Sequence, residues 1–361
     1  MIIAGNLLFE GAFEPGWLEC ADSRITRVGR GRFDGTPDLA PEGFVVPGFV
    51  DVHSHGGGGA AFTEGADAAR TALAAHRAHG TTTMIASLVT ATIGELLQQV
   101  EALVPLVVSG ELAGIHLEGP WISPQQKGAH DPGKLAAPLD DAVTAITSLP
   151  PGLVRMATLA PELPGGLAAI RRLRAAGIVV ALGHTAADYT LARRGFSVGA
   201  SGVTHLFNAM PDLLKRDPGP VLAALESDAW LELIFDGHHV AAPLAAFICR
   251  RYAERVVLIT DAMAAACLGD GDYTLGGLPV RVAGGVARLT TTGALAGSTI
   301  TLAHAVANAV AAGVELAAAV RCATANAAAY LGISNVGRLR AGNLANVLEL
   351  DASGRLLRVL A

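Results

Sequence analysis

The chain has 361 residues, 51% of them hydrophobic and 16% charged, with a net charge of −6 and a mean hydropathy of +0.44. No run of about 18 apolar residues escapes a charge, Gly or Pro, so a membrane-spanning helix is not expected, and the negative balance offers no basic footprint for nucleic acid. No basic stretch followed by an apolar core opens the chain, and Cys20, Cys249, Cys267 and Cys322 lie far apart without a C-x-x-C, so the expectation is a cytoplasmic enzyme with inert thiols.

Residues 1–46 read as short strands around Ile2–Ile3, Trp17–Leu18 and Arg24–Val28, separated by Gly and polar turns. Residues 335–361 read alike: Ala345–Leu350, a turn at Asp351–Gly354, then Arg355–Leu360. Two strand-rich ends around one long middle predict a small β-sandwich domain built from both termini, with residues 47–334 forming a second unit.

From Pro47 the pattern changes. Apolar runs at Gly48–His53, Thr82–Leu88, Gly114–Glu118, Val154–Leu159, Ile178–Gly183, Gly202–Phe207, Leu231–Phe235 and Val256–Thr260 alternate with helical patterns such as Ala66–Ala78, Ile93–Val107, Gly166–Ala176 and Pro243–Ala253. Eight buried strands with helical crossovers predict an α/β fold, a (β/α)8 TIM-like barrel; an open doubly wound sheet is the alternative. Tyr273–Leu289 reads as a β-hairpin excursion, followed by helices over Thr299–Ala312 and Glu315–Leu331.

Titratable residues collect where these strands end. His53 and His55 in VVPGFVDVHSHGGGG are two apart, so alternation puts both imidazoles on one strand face, a pair able to chelate a divalent ion. The glycines that follow let the backbone turn tightly. Glu118 ends GIHLE, where a carboxylate is costly to bury unpaired, and it suits one ion or a bridge between two. His184 in ALGHT and His205 in GVTHLF add two nitrogens, leaving room for water as a catalytic site requires. Asp261 in LITDAM is both a ligand candidate and a base to take a proton from water and return it to a leaving amine. In a barrel all these strand ends share one rim. The set points to metal-activated hydrolysis. His116, deeper on the Glu118 strand, reads as a core histidine, and Trp121 as structural or a wall of the pocket.

The ordered segments VVPGFVDVHSHGGGG, GIHLEGPWISPQQKGAH, ALGHT, THLFNAMP with the following KRDPG, DGHHV, LITDAM, DGDYTLGG and GALAGS resemble the N-acetylglucosamine-6-phosphate deacetylases of the amidohydrolase superfamily over essentially the whole chain. The resemblance implies a metal-bearing barrel, a homodimer, and removal of acetate from N-acetylglucosamine 6-phosphate. It implies Glu118, His184 and His205 as ligands of a shared metal site, and His53 with His55 as the mark of a two-metal branch. It implies Asp261 as the catalytic aspartate and Ala129, His130, Asn208, Ala209, Arg216, His239, Leu295, Ala296 and Gly297 as substrate-contacting positions. His130 would donate to the amide oxygen, and Arg216 would bring a planar fork of donors to phosphate, from the partner subunit in a dimer. The loop DLLKRDPG departs from the commonest form. Imidazole and carboxylate ligands suit Zn first, with Fe, Mn or Co also accommodated. Other readings are a deacetylase for another amino sugar phosphate such as N-acetylgalactosamine 6-phosphate, a cyclic-amide amidohydrolase, and a catalytically silent binding barrel, which would be expected to have lost ligands or base.

Overall fold

The computed structural model describes residues 1–361. Eight parallel strands form the barrel. The first, Phe49–Asp51, pairs with Thr81–Met84, and only Ile85 separates that segment from Ala86–Val89, which begins a seven-stranded parallel ladder. The ladder runs in chain order through Ile115–Glu118, Val154–Leu159, Val179–Leu182, Gly202–Val203, Trp230–Ile234 and Val256–Ile259. The last strand meets the first just beyond both: Asp261 N–H donates to His53 O at 2.8 Å and His55 N–H to Ala262 O at 2.7 Å. The barrel therefore closes through the backbone that carries three of the rim residues.

Helices follow the strands as crossovers: Ala66–Ala78, Ile93–Ser109, Asp140–Thr147, Gly166–Ala175, Tyr189–Val198, Gly219–Leu225, Ala242–Arg251 and Leu302–Ala311. Local chemistry sets their limits. At Ile93–Ser109, Thr92 Oγ1 accepts from Glu95 N–H at 3.3 Å and Glu95 Oε2 accepts from Thr92 N–H at 2.8 Å, a reciprocal cap, and Gly110 at φ 79° ends the helix. Its buried Leu96, Val100 and Leu103 recur at helical spacing and face the core.

The chain ends enter one six-stranded sheet, ordered Leu356–Val359, Val347–Leu350, Phe44–Pro47, Ile2–Phe9, Ala12–Ala21, Arg24–Arg30. The expected sandwich takes the form of this single hydrogen-bonded sheet with two used faces. Strand alternation assigns them. Val45 and Val347 join Ile3, Leu7, Leu18 and Ile25 in one cluster, closed by Leu339 and Ala345. Val46 and Leu348 point the other way, into the core they share with Leu233, Leu258 and Leu302 of the barrel.

Three segments depart from the sequence reading. The sixth barrel strand stops at Val203 instead of running to Phe207, because His205, Phe207 and Ala209 adopt left-handed φ values of 29°, 79° and 50° that no strand can contain. The excursion after the eighth strand has three antiparallel strands, Gly271–Leu275, Leu278–Ala283 and Val286–Leu289, with a second turn at Gly284–Gly285. The last helical stretch breaks at Thr324 into Leu316–Cys322 and Ala325–Tyr330. The break positions Asn326, whose amide donates to Ala253 O at 2.9 Å and Val256 O at 2.7 Å. No helix is long and apolar enough to cross a membrane.

Candidate active site

Three rim residues occupy a conformation that side chains avoid. His184, His205 and Asp261 have φ of 47°, 29° and 49°, each within two residues of its strand's end. Such backbone costs of order 1–3 kcal/mol per residue and persists where the surroundings enforce it, often at functional sites. Gly297 helps to enforce it: a Cβ there would stand 2.7 Å from Asp261 O, so only glycine admits that approach.

The side chains converge on Glu118. Its Oε1 lies 3.3 Å from His53 Nε2, 3.2 Å from His184 Nε2 and 3.1 Å from His205 Nε2. Its Oε2 lies 3.1 Å from His55 Nε2 and 3.3 Å from His130 Nε2. Asp261 Oδ1 stands 3.2 Å from His55 Nε2 and 3.5 Å from His53 Nε2. All are buried. Two ligand groups result, His53–His55–Glu118 and Glu118–His184–His205, joined through Glu118.

These contacts fit a metal better than a hydrogen-bonded core. Ligands about 2.0–2.1 Å from a tetrahedral ion stand roughly 3.3 Å apart. The separations above match that edge, as does His184 Nε2 to His205 Nε2 at 3.0 Å. The other ring nitrogens agree. His55 Nδ1 faces Ser87 O at 3.1 Å and His184 Nδ1 faces Gln126 O at 2.8 Å. A carbonyl only accepts, so these Nδ1 atoms carry a proton, and each Nε2 is the nitrogen that would turn a lone pair to an ion once any proton on it is displaced. His53 Nδ1 faces Glu232 Oε2 at 3.1 Å, and Tyr330 donates to Glu232 Oε1 at 3.1 Å. His205 Nδ1 is buried with no partner. His116 spends both nitrogens elsewhere, on Ser87 Oγ at 2.9 Å and Thr158 Oγ1 at 2.8 Å.

The electrostatics follow from this crowding. Burial pulls the His53 and His55 imidazoles down, but the Glu118 and Asp261 carboxylates outweigh it, holding His53 well above its ordinary value and His55 at about 9. Burial raises Glu118 and Asp261, and the imidazoles around them still hold both well below the usual carboxylate range. His130 goes the other way. Burial and the neighbouring His184 push it down to about 4, so it is neutral near pH 7. Its Nδ1 faces Thr90, Oγ1 at 2.8 Å and N at 3.3 Å, and its Nε2 faces Glu118 at 3.3 Å.

A cavity of about 360 Å³ opens onto this cluster. Of the residues expected at the substrate, Ala129, His130, Asn208, Ala209, His239, Leu295 and Gly297 line it. His239 is oriented by Asp236, whose Oδ2 is 2.7 Å from its Nδ1. Two expected residues are elsewhere. Ala296 is fully buried in the cluster under the three-stranded excursion, with its neighbours Leu295 and Gly297 at the cavity. Arg216 is exposed, outside the cavity lining of its own chain. Trp121 belongs to the barrel core. Sequence reasoning missed Lys127 in the lining, and Glu232 and Thr90 behind it. A glutamate inside the apolar run WLELI was the readable signal for Glu232.

A model of the amidohydrolase family matches residues 44–355. An N-acetylgalactosamine-6-phosphate deacetylase from Escherichia coli O157:H7 is 38% identical over 94% of this chain and 93% of its own length. An N-acetylglucosamine-6-phosphate deacetylase from Vibrio furnissii is 37% identical, covering 75% of this chain and 70% of its own. Among solved structures, an aspartate-to-alanine variant of the Mycobacterium smegmatis N-acetyl-D-glucosamine-6-phosphate deacetylase, in complex with N-acetyl-D-glucosamine-6-phosphate, is 42% identical. It aligns with a TM-score of 0.96 over 100% of this chain and 97% of that one.

Proposed function

The chain belongs to the amidohydrolase family, and from that premise we propose that it hydrolyses the acetamide of N-acetylglucosamine 6-phosphate to acetate and glucosamine 6-phosphate. The observation that carries the reading is the convergence of five imidazole Nε2 atoms on the one buried carboxylate of Glu118, with Asp261 beside His53 and His55. His53, His55, Glu118, His184, His205 and Asp261 would hold one or two divalent ions, Zn best suited to the nitrogen-rich set. When bound, such an ion supplies Lewis acidity toward the amide carbonyl and the attacking water.

The chain's own residues do the rest. Asp261 takes a proton from the water as its oxygen bonds to the acetyl carbon. Neutral His130 donates from Nε2 to the carbonyl oxygen as charge grows there. The C–N bond then breaks, and the proton held by Asp261 goes to the departing nitrogen. Ala129, Asn208, Ala209, His239, Leu295 and Gly297 shape the sugar phosphate pocket. Arg216 would serve the phosphate across a homodimer; its exposure outside its own cavity supports supply to a partner subunit. Four free cysteines fit a cytoplasmic setting.

A second reading, N-acetylgalactosamine 6-phosphate as the preferred substrate, is favoured by the E. coli relative that matches 94% of the chain. One assay separates the two: acetate release from each 6-phosphorylated epimer, by protein stripped of metal and then reloaded. Activity should vanish on stripping and return on loading, with the higher kcat/KM for the glucosamine epimer. The reverse preference selects the second reading, and no acetate from either sugar ends both.

A further inference from the structure

Lys127 is the only Lys or Arg among the residues lining the active-site cavity. We propose that Lys127 supplies the same-subunit cation that selects the 6-phosphate of the substrate, an inference that rests on the amino sugar phosphate reading. The phosphate adds about 1.5 to 2 negative charges. It must enter a cavity that already holds the buried carboxylates of Glu118 and Asp261, whose charge the metal and imidazoles offset. A further anion there needs its own counter-charge.

The other polar groups of the lining carry no fixed positive charge, the amides of Gln125, Gln126 and Asn208 among them. Asn208 donates its amide to His205 O and Leu206 O, both at 3.2 Å. His239 gives Nδ1 to Asp236 and keeps one nitrogen free. Lys127 has no carboxylate partner, and its Nζ reaches only Gly128 O at 3.5 Å, the outer limit of a hydrogen bond. An ammonium with three donors is thus nearly unused. Lys134, seven residues on, shows the contrast: its Nζ is taken by Glu95 at 2.9 Å.

The backbone beside Lys127 is fixed while its side chain is free. Gln126 O holds His184 Nδ1 at 2.8 Å. A Cβ on Gly128, at φ 54°, would lie 3.1 Å from His184 Cε1, so the segment packs closely on a metal-ligand candidate. A mobile ammonium on a pinned base can meet a phosphate without disturbing the reacting end.

The test compares kcat/KM for N-acetylglucosamine 6-phosphate and for N-acetylglucosamine in metal-loaded wild type, Lys127→Met and Lys127→Arg. A lost hydrogen bond to a charged group costs about tenfold or more in binding. Lys127→Met should therefore lower the phosphorylated-to-unphosphorylated ratio at least about tenfold, through KM more than kcat, with metal content retained, and Lys127→Arg should restore most of it. In the wild type, glucosamine 6-phosphate should protect Lys127 from chemical acetylation read by mass spectrometry, and glucosamine should not. An unchanged ratio, an equal loss for both sugars, or no protection overturns the role of Lys127. Failure of the deacetylase reading shows differently, as no acetate from the wild type with either sugar.

Discussion

The two halves of the metal cluster share Glu118 but are held in different ways. His53 and His55 sit two residues apart on one strand, and the backbone around them closes the barrel through hydrogen bonds to 261 and 262. His53 is backed by the buried Glu232, itself fixed by Tyr330. Gly202 makes room for that tyrosine, since a Cβ there would stand 1.8 Å from its hydroxyl oxygen. His184 and His205 come from separate strands, at left-handed residues, with a loop carbonyl behind one and nothing behind the other. The first half is anchored in the seam of the barrel. The second depends on rim turns and on the loop that carries Lys127 and His130. The difference teaches that the same donor chemistry can be rigid by topology or by local turns, and variants should tell the two apart.

The largest effect is expected in the second half. His184→Ala and His205→Ala should each lose metal and activity together, because each leaves too few protein ligands at that ion. Metal analysis of the purified variants checks this, and full stoichiometry in both would move the site elsewhere. Next comes Asp261→Asn, which should keep the fold and most metal and lose turnover by at least about a hundredfold, the scale of general acid–base catalysis. Near-normal turnover in a metal-loaded variant would remove Asp261 from the chemistry. The double variant His53→Gln with His55→Asn tests the seam half. It should drop one ion of two and reduce activity without abolishing it. Unchanged metal content would make the H-x-H pair structural.

Much of this arrangement was legible because it depends on residue type at strand ends. Apolar runs set the strands, and His53, His55, Glu118, His184, His205 and Asp261 were the groups that those runs could not absorb. What stayed hidden depends on backbone conformation or on which way a residue faces. The left-handed turns at His205, Phe207 and Ala209 carry no glycine to announce them, so the sixth strand reads too long. Ala296 and Leu295 differ by one residue, yet one is buried under the excursion and the other lines the cavity. The support of His184 by Gln126 is a backbone carbonyl, which any residue would supply.

The smallest effect sharpens the comparison through pH. In the metal-free protein His55 holds its proton up to about 9, against 6.5 for an ordinary imidazole, and His53 is raised as well. A raised folded-state value contributes stability that is complete below pH 6.5 and is lost as pH rises through about 9. The lowered His76, His116 and His304 oppose this only at the lower edge of the window, where an unfolded imidazole still binds a proton. The raised value of Asp51, about 6, has exerted its cost by then, and the lowered His130, at about 4, acts below 6.5. Between pH 6.5 and 8.5 the metal-free protein should therefore lose roughly 1 °C of Tm for each ~1 kcal/mol of this contribution, the scale for a chain of 361 residues. Metal-loaded protein should show no such fall, because an ion replaces the protons, and its binding should tighten with pH and release protons. His55→Asn should flatten the metal-free profile, whereas His205→Ala should leave most of the slope, since the held protons belong to the seam half. Scanning calorimetry of the three proteins across that window reads the result. An equal slope in all three would mean that the protons of the seam do not stabilise the fold, and that its rigidity comes from the barrel's backbone alone.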